Sequence, residues 1–390
     1  MSDAPLTGLR VLELGQLIAG PACATLLGWL GADVVKVEPP AGDPLRSWRC
    51  PPGATGEWFR SVARGKRLVA ADLHDPAGRA RVAALAVRAD VLVENFRPGR
   101  MEAWGLGPEA LWPANPGLVY CRVSGHGQRG PRAGWPGFAA VAEALGGLRA
   151  LTGHPGGPTL RTNLSLADSV AGMQATIGVL AALIARGRTG RGQVVDVSLV
   201  DTVASLLEAA PAEAAAGRPR GPAGASIDGV VPTGAFRCAD GAEIVLGANS
   251  DGLFRRLMHA IGCPALAADP ALATNPGRVA QRDRVDGAIA AWAAARTAAA
   301  AEAALVAAGI PAGRVRLPAE LLDDRSLWDR GTLESLTAPD GWSGPLVRPG
   351  PVLSHTPGRS AFAGGGPVGA DTDAVLADWG RLPGPPLGPA

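Results

Sequence analysis

The sequence predicts an α/β protein: a Rossmann-like large domain on a parallel sheet, plus a smaller α/β domain. Three observations carry that expectation. Short β-branched runs alternate with apolar helical stretches through the first half of the chain. Each run ends at a turn rich in Gly, Pro or Asn. And 390 residues exceed what one simple core holds, so two domains are expected.

The elements follow in order. Residues 9–14 (LRVLEL) read as a strand, the turn 15–21 follows, and 22–30 form an apolar helix stopped by Gly31. Residues 33–38 (DVVKVE) are a second strand, which makes a strand–helix–strand unit with a right-handed crossover. Further strands are expected at 67–73, 90–96, 117–124 and 194–199. Asp75 and Pro76 cap and open a helix reaching about 88. A helix over 201–216 precedes a Pro/Gly-rich linker at 217–232. A hairpin at 235–238 and 243–246 opens a smaller unit, helices run to 308, and 310–315 returns. The tail from 317 reads as extended, with one short helix at 373–379. The expected division is a large domain of 1–216 plus 325–390, a linker at 217–232 and a small domain of 233–324.

Composition narrows the function classes. A net charge of +2 gives no case for nucleic acid or a membrane surface. Arg carries nearly all of the positive charge, which reads as a bias of the coding sequence. The five cysteines are scattered without a CxxC pair, so neither a metal site nor a disulfide framework is expected, and a reducing cytoplasm fits best. No signal peptide and no membrane span is read. The turn after the first strand is not GxGxxG, which argues against a dinucleotide enzyme.

Asp168 sits just ahead of an apolar run at 174–185, in the first turn of an expected long helix. Its plain role is structural: Ser165 and Asp168 have capping-box spacing, and an acid suits the positive end of the helix dipole. In open α/β sheets ligands gather at the carboxyl ends of strands, which here hold 15–21, His74, 95–99 and the glycine loop 125–130. His126 in that loop is a candidate base, set against a solvent-facing loop histidine. Arg46, Arg97 and Arg161 are candidates for a carboxylate or phosphate, each set against a surface arginine. Glu143 reads as a helix-surface acid, Asp72 as a strand end or helix cap, and the ten tryptophans as packing.

Several ordered motifs together resemble the family III CoA-transferases. They are LTGLRVLEL (6–14) with Ala19-Gly20-Pro21, GADVVKVE (31–38), DVLVENFRPG (90–99), SGHGQRGP (124–131), and the Asp168 stretch with Gly190-Arg191-Gly192-Gln193. The resemblance covers nearly the whole chain. It implies an interlocked homodimer, no permanently bound cofactor, and a coenzyme A thioester as substrate. It assigns Asp168 the role of nucleophile, and it assigns CoA contacts to Ile18, Ala19, Ala71, Asp72, Leu73, His74, Asn95, Phe96 and Arg97. It also makes the 221–229 segment a lid, here without the oligoglycine of formyl-CoA transferases.

The chemistry is consistent with a carboxylate nucleophile, because an acyl-aspartyl anhydride keeps the activation of the thioester it replaces. Where formyl-CoA transferases carry Gln, this chain has Ile18, against oxalate and formyl-CoA as the pair. Where the α-methylacyl-CoA racemase branch has Gly-His-Asp, it reads Gly137-Phe138-Ala139 and lacks the basic histidine. The runs 161–173 and 275–279 look most like the branch acting on succinyl-CoA and dicarboxylates. A racemase or isomerase of the same superfamily and a non-catalytic acyl-CoA-binding paralogue are the alternatives.

Overall fold

The computed structural model describes residues 4–381. Six strands, β1 (Arg10–Glu13), β2 (Asp33–Glu38), β3 (Arg67–Ala70), β4 (Val91–Glu94), β5 (Val119–Ser124) and β6 (Val194–Ser198), form one sheet in the order β3-β2-β1-β4-β5-β6. Every pairing is parallel, with Leu12 opposite Val35 on one side and Leu92 on the other. The order reverses at β1, so the crevice above the ends of β1 and β4 is the switch point at which such sheets bind ligands.

Side chains alternate across the pleat, and two separate cores result. On one face Val11, Val34, Val91, Val93 and Cys121 pack with helix α1 (Ala19–Trp29) and the later long helix. On the other, Leu12, Val35, Leu92 and Tyr120 pack with helix α2 (Pro76–Ala86) and Trp379. A sheet covered on both faces explains why these strands are apolar throughout instead of alternating. The expected cap of α2 is present: the Asp75 carboxylate accepts the Ala77 N–H at 3.2 Å, and Pro76 occupies the first turn.

The long helix α3 (Leu166–Thr189) ends at Gly190, whose φ of +67° favours glycine. By length and composition it could cross a membrane, which the sequence reading did not anticipate. Its buried face, including Ala171, Ala175 and Val179, packs onto α1, β5 and β6 as a core helix does. Two residues later, a side chain at Gly192 would strike the Leu118 carbonyl at 2.0 Å, so the return into β6 requires glycine.

The expected helix at 201–216 is two helices, Leu199–Ser205 and Ala210–Ala215. The Ser198 hydroxyl accepts the Asp201 N–H at 3.1 Å, which ends β6 one residue early and starts the first. Glu208, at a φ of +53°, turns the chain before the second. Alanine-rich composition favoured one continuous helix; the local cap and turn override it.

The chain forms two compact units. One comprises Met1–Leu148, Thr162–Glu208 and Arg325–Ala390; the other comprises Arg149–Arg161 and Ala209–Asp324. The second holds an antiparallel sheet of β7 (Thr233–Arg237), β8 (Glu243–Gly247) and β9 (Ala312–Arg314) over a core that includes Ile244, Phe254 and Trp292. Arg278 is fully buried there; it pairs with Asp251 at 2.9 Å and donates to the carbonyls of Val231, Leu272 and Asn249. The tail, read as extended, contains a hairpin, β10 (Leu333–Thr337) and β11 (Ser343–Val347). Within the first unit, Arg60 and Arg64 tie it to the N-terminal part of the chain through Asp340 and Glu334, at 2.8 and 2.9 Å. The last helix, Thr372–Arg381, is fixed by Arg67 bridging Asp33 and Asp378 and by the Trp379 indole on Asp33.

Candidate active site

The site is built on the turn that follows β1. Asn95, at the end of β4, bridges to it twice: its side-chain oxygen accepts the Gln16 N–H at 2.9 Å, and its amide nitrogen donates to the Gln16 carbonyl at 2.8 Å. The switch-point crevice is thereby closed by one amide. Leu17 has a φ of +62°, a conformation an L-residue avoids, and its N–H is held by the Asp43 carboxylate at 3.2 Å. Glycine is required at Gly15, where a side chain would meet the Pro21 ring at 2.9 Å. α1 then starts at Ala19 without a side-chain cap, with Ile18 and Ala19 both buried. Its first amides have no partner within the helix and carry the positive end of its dipole.

Asp168 lies in the first turn of α3 and is partly exposed. The Ser165 hydroxyl makes no cap, so the capping box suggested by the spacing is not formed. One turn on, Gly172 sits against α1: a side chain there would come within 2.7 Å of the Ala22 methyl and 3.1 Å of the Ala19 carbonyl. Residues four apart share a helix face. Asp168 therefore shares the side of α3 that meets the start of α1.

The expected CoA contacts divide into three groups. Ala71, Asp72, Leu73, His74 and Phe96 line a cavity of about 210 Å³ at the strand ends, together with Gln16, Arg100 and Trp104. Arg97 and Phe96 border a second, shallower hollow of about 650 Å³. Ile18, Ala19 and Asn95 belong to the floor of the turn. Trp104 organises the cavity wall: the rings of Phe96 and His74 meet it edge-on at 5.1 and 5.8 Å, and the Arg100 guanidinium lies 5.0 Å from its ring centre. The Asp72 carboxylate accepts the His74 N–H at 2.8 Å and shapes that turn. Reading the sequence missed Gln16, Arg100 and Trp104; the spacing of Arg100 and Trp104, one helical turn apart just after a strand end, was the available signal.

Beneath the cavity, Glu94 accepts the Phe96 N–H at 2.7 Å and pairs with Arg122 at 2.8 Å. Burial pushes its carboxyl up to about 7, against the pull of Arg122 and the Phe96 amide. Three other candidates are placed differently from their expectation. Arg46 is taken by Glu38 at 2.6 Å and the Gly366 carbonyl, so it belongs to the scaffold. Glu143 is buried, not on a helix surface. His126 is partly buried and edge-on to Trp135 at 6.0 Å, in a loop pinched where Gly125 and Gly137 touch. Arg161 lies exposed in the smaller unit. Among the described residues no cluster of His, Cys, Asp and Glu is arranged to hold a metal ion.

Comparison with known proteins supplies the class. The model of CoA-transferase family III matches residues 6–372, and the chain belongs to that family; it is a CoA-transferase. It is 41% identical over 363 residues to a succinyl-CoA–D-citramalate CoA-transferase of Chloroflexus aurantiacus, covering 92% of this chain and 90% of the relative. It is 38% identical to the alpha subunit of a succinyl-CoA–L-malate CoA-transferase of the same organism, covering 96% and 88%. Among solved structures, a CAIB/BAIF family protein from Brucella suis superposes with a TM-score of 0.85 at 31% identity, covering 97% of this chain and all of that one.

Proposed function

We propose that this enzyme moves CoA from succinyl-CoA to a second dicarboxylate or hydroxydicarboxylate, with Asp168 as the covalent relay. The names of its relatives support the substrates. The observation that supports the mechanism is the meeting of α3 with α1 at Gly172, one turn along the same helix face from Asp168. A carboxylate oxygen of Asp168 attacks the thioester carbonyl, the C–S bond breaks, and a succinyl-aspartyl anhydride and CoA thiolate result. The thiolate attacks the aspartyl carbonyl, releasing succinate and leaving an aspartyl-CoA thioester. The acceptor carboxylate displaces the thiolate to form a new anhydride. The thiolate then takes the acceptor's acyl carbon, and the Asp168 carboxylate is restored. Each tetrahedral oxyanion needs donors, and the first amides of α1 are oriented to supply them. The Ala71–His74 and Phe96–Trp104 wall is suited to the body of CoA.

We also place a second copy of the chain on the outer face of α3. Met173, Ile177 and Ile184 are 51, 67 and 65% exposed on that helix, more apolar surface than a solvent-facing helix ordinarily shows. An interlocked homodimer, with the tail returning to the first unit, covers it. Five cysteines without a disulfide are compatible with a reducing cytoplasm.

The test is a transfer assay with succinyl-CoA against malate, citramalate, itaconate, mesaconate, glutarate and hydroxymethylglutarate. Hydroxylamine trapping and mass spectrometry accompany it. Transfer to at least one acceptor, with a hydroxamate on Asp168, is expected. Turnover with no adduct on that residue would exclude the relay, and exchange at the α-carbon without an acceptor would favour a racemase.

A further inference from the structure

Two lysines stand among the 37 basic residues of the chain, Lys36 and Lys66; every other one is arginine. Both are almost wholly buried, and both converge on Glu13 at the end of β1. The Lys36 ammonium pairs with Glu13 at 2.8 Å and Asp43 at 2.9 Å, and donates to the Gly15 carbonyl at 2.8 Å. The Lys66 ammonium pairs with the other Glu13 oxygen at 2.6 Å and donates to the Pro21 carbonyl at 2.8 Å. Asp43 in turn receives the Leu17 and Leu45 amides, and its own N–H goes to Glu38, whose second partner is Arg46. Four charges alternate and cancel. Apart from the Leu45 amide on Asp43, their outward-facing bonds end on the backbone of one turn, at Gly15, Leu17 and Pro21.

Two physical points make this more than core filling. A buried charge set stabilises a fold poorly, since apolar side chains of the same volume do as well without desolvating ions. What such a set does is hold one geometry, and the geometry held here includes the strained Leu17. The choice of lysine is also informative. An ammonium points three donors tetrahedrally from a compact head, whereas a guanidinium offers a planar fork. The three acceptors around Lys36, on β1, the turn and the 43–45 loop, call for the former.

We propose that Glu13, Lys36, Asp43 and Lys66 are positioning residues for CoA transfer, a closed quartet of buried charges that sets the Gly15–Pro21 turn beside Asp168. The proposal rests on the reading of Asp168 given above. It makes a distinctive statement about pH. Burial pulls Lys66 down to about 8 against the attraction of Glu13, while for Lys36 the pull of Glu13 and Asp43 outweighs burial and raises it. The charged groups that face Lys66 are Glu13, Lys36 and Asp43. When Lys66 loses its proton, the quartet is left with one uncompensated negative charge and the Pro21 carbonyl with a weaker donor.

The experiment is the pH profile of kcat for succinyl-CoA turnover, measured on the full-length enzyme. The wild type should show a basic limb near pH 8. Lys66→Met, checked for folding by circular dichroism, should reproduce the high-pH state: kcat at pH 7 about tenfold lower, KM for succinyl-CoA within about threefold, and no limb near pH 8. Glu13→Gln removes the attraction that keeps Lys66 protonated and should move the limb to lower pH. A wild-type kcat that stays level to pH 9.5 overturns the proposal without any variant. So does a folded Lys66→Met that keeps either wild-type kcat or the limb. Asp168→Ala is run beside them: if it remains active, the reading of the site falls and the quartet's role falls with it. If it is inactive while Lys66→Met behaves as wild type, only the quartet is wrong.

Discussion

The floor of the site and its wall are built from different materials. Under the Gly15–Pro21 turn, backbone atoms are gripped by buried ammonium and carboxylate groups and by the Asn95 amide, within 2.8–3.2 Å. Around the cavity, aromatic rings and one guanidinium meet edge-on or face-on at 5–6 Å, with room for about 210 Å³. On the proposed mechanism, the difference matches two tasks. Covalent relay through an anhydride tolerates little error in the approach of reacting atoms, so that region is fixed through the backbone. A long, flexible thioester substrate is retained by contact area, which rings supply without a fixed hydrogen-bond pattern. Variants in the two regions should therefore separate kcat from KM.

The sharpest test of that separation is Asp168→Asn. The amide fills the same space but cannot form the anhydride, so kcat should fall by about 10³-fold or more. CoA binding, measured by calorimetry, should stay within about threefold. Next is Gly172→Ala. One methyl group forced against Ala22 and the Ala19 carbonyl must push α3 from α1. Overpacking of this kind costs about 1–3 kcal/mol. Because the displaced segment carries Asp168, kcat should drop about tenfold along with the melting temperature. A Gly172→Ala enzyme that melts lower at full kcat would mean that Asp168 is not positioned by that contact.

The wall should answer the other way. Trp104→Ala removes the ring on which Phe96, His74 and Arg100 all rest. KM for succinyl-CoA should rise about tenfold, roughly the 1.4 kcal/mol that one such ring contact is worth, at nearly unchanged kcat. A fall in kcat with KM held would show that floor and wall are not independent.

How much of this arrangement could be read in advance depends on the range of the interaction. The parallel strands were legible because burial on both faces leaves continuous β-branched runs such as Asp33–Glu38. Asp168, Ile18 and Asn95 were singled out by family likeness alone; of these, Asn95 holds the turn at Gln16 and Ile18 is buried within it. Ala71–His74 and Phe96, assigned in the same way, do gather around one cavity. Long-range pairings left no local trace. Lys36 and Lys66 looked like two ordinary basic residues in an arginine-biased chain, and their meeting at Glu13 depends on three strands registering. Arg46, a candidate anion binder set against a surface arginine, is neither, because it is taken by Glu38 and by the tail at Gly366, whose return nothing nearby in sequence announces. The β10–β11 hairpin was hidden because Gly344 and Pro345 in β11 suppress the alternating pattern.

The mildest prediction concerns Glu94, which belongs to neither region and lies under the junction of the two. Its folded carboxyl is pushed up to about 7 from an unfolded value near 4.5, so the native state holds the proton more tightly. The stability this group contributes is fully present below pH 4.5 and is lost as the pH rises through about 7. At its steepest, that loss is about 1.4 kcal/mol per pH unit from one proton. Glu94→Gln keeps one acceptor oxygen, for either the Phe96 amide or Arg122, and Arg122 retains Glu102 at 2.6 Å. Turnover at pH 7 should therefore remain within about twofold. Urea unfolding of the two enzymes between pH 4.5 and 7.5 should show the wild-type slope flattened by one proton's worth in the variant. An unchanged slope would mean that Arg122 keeps Glu94 ionised throughout. In that case the cavity floor is held by ion pairs as the turn is, and the contrast between the two regions lies in their side chains alone.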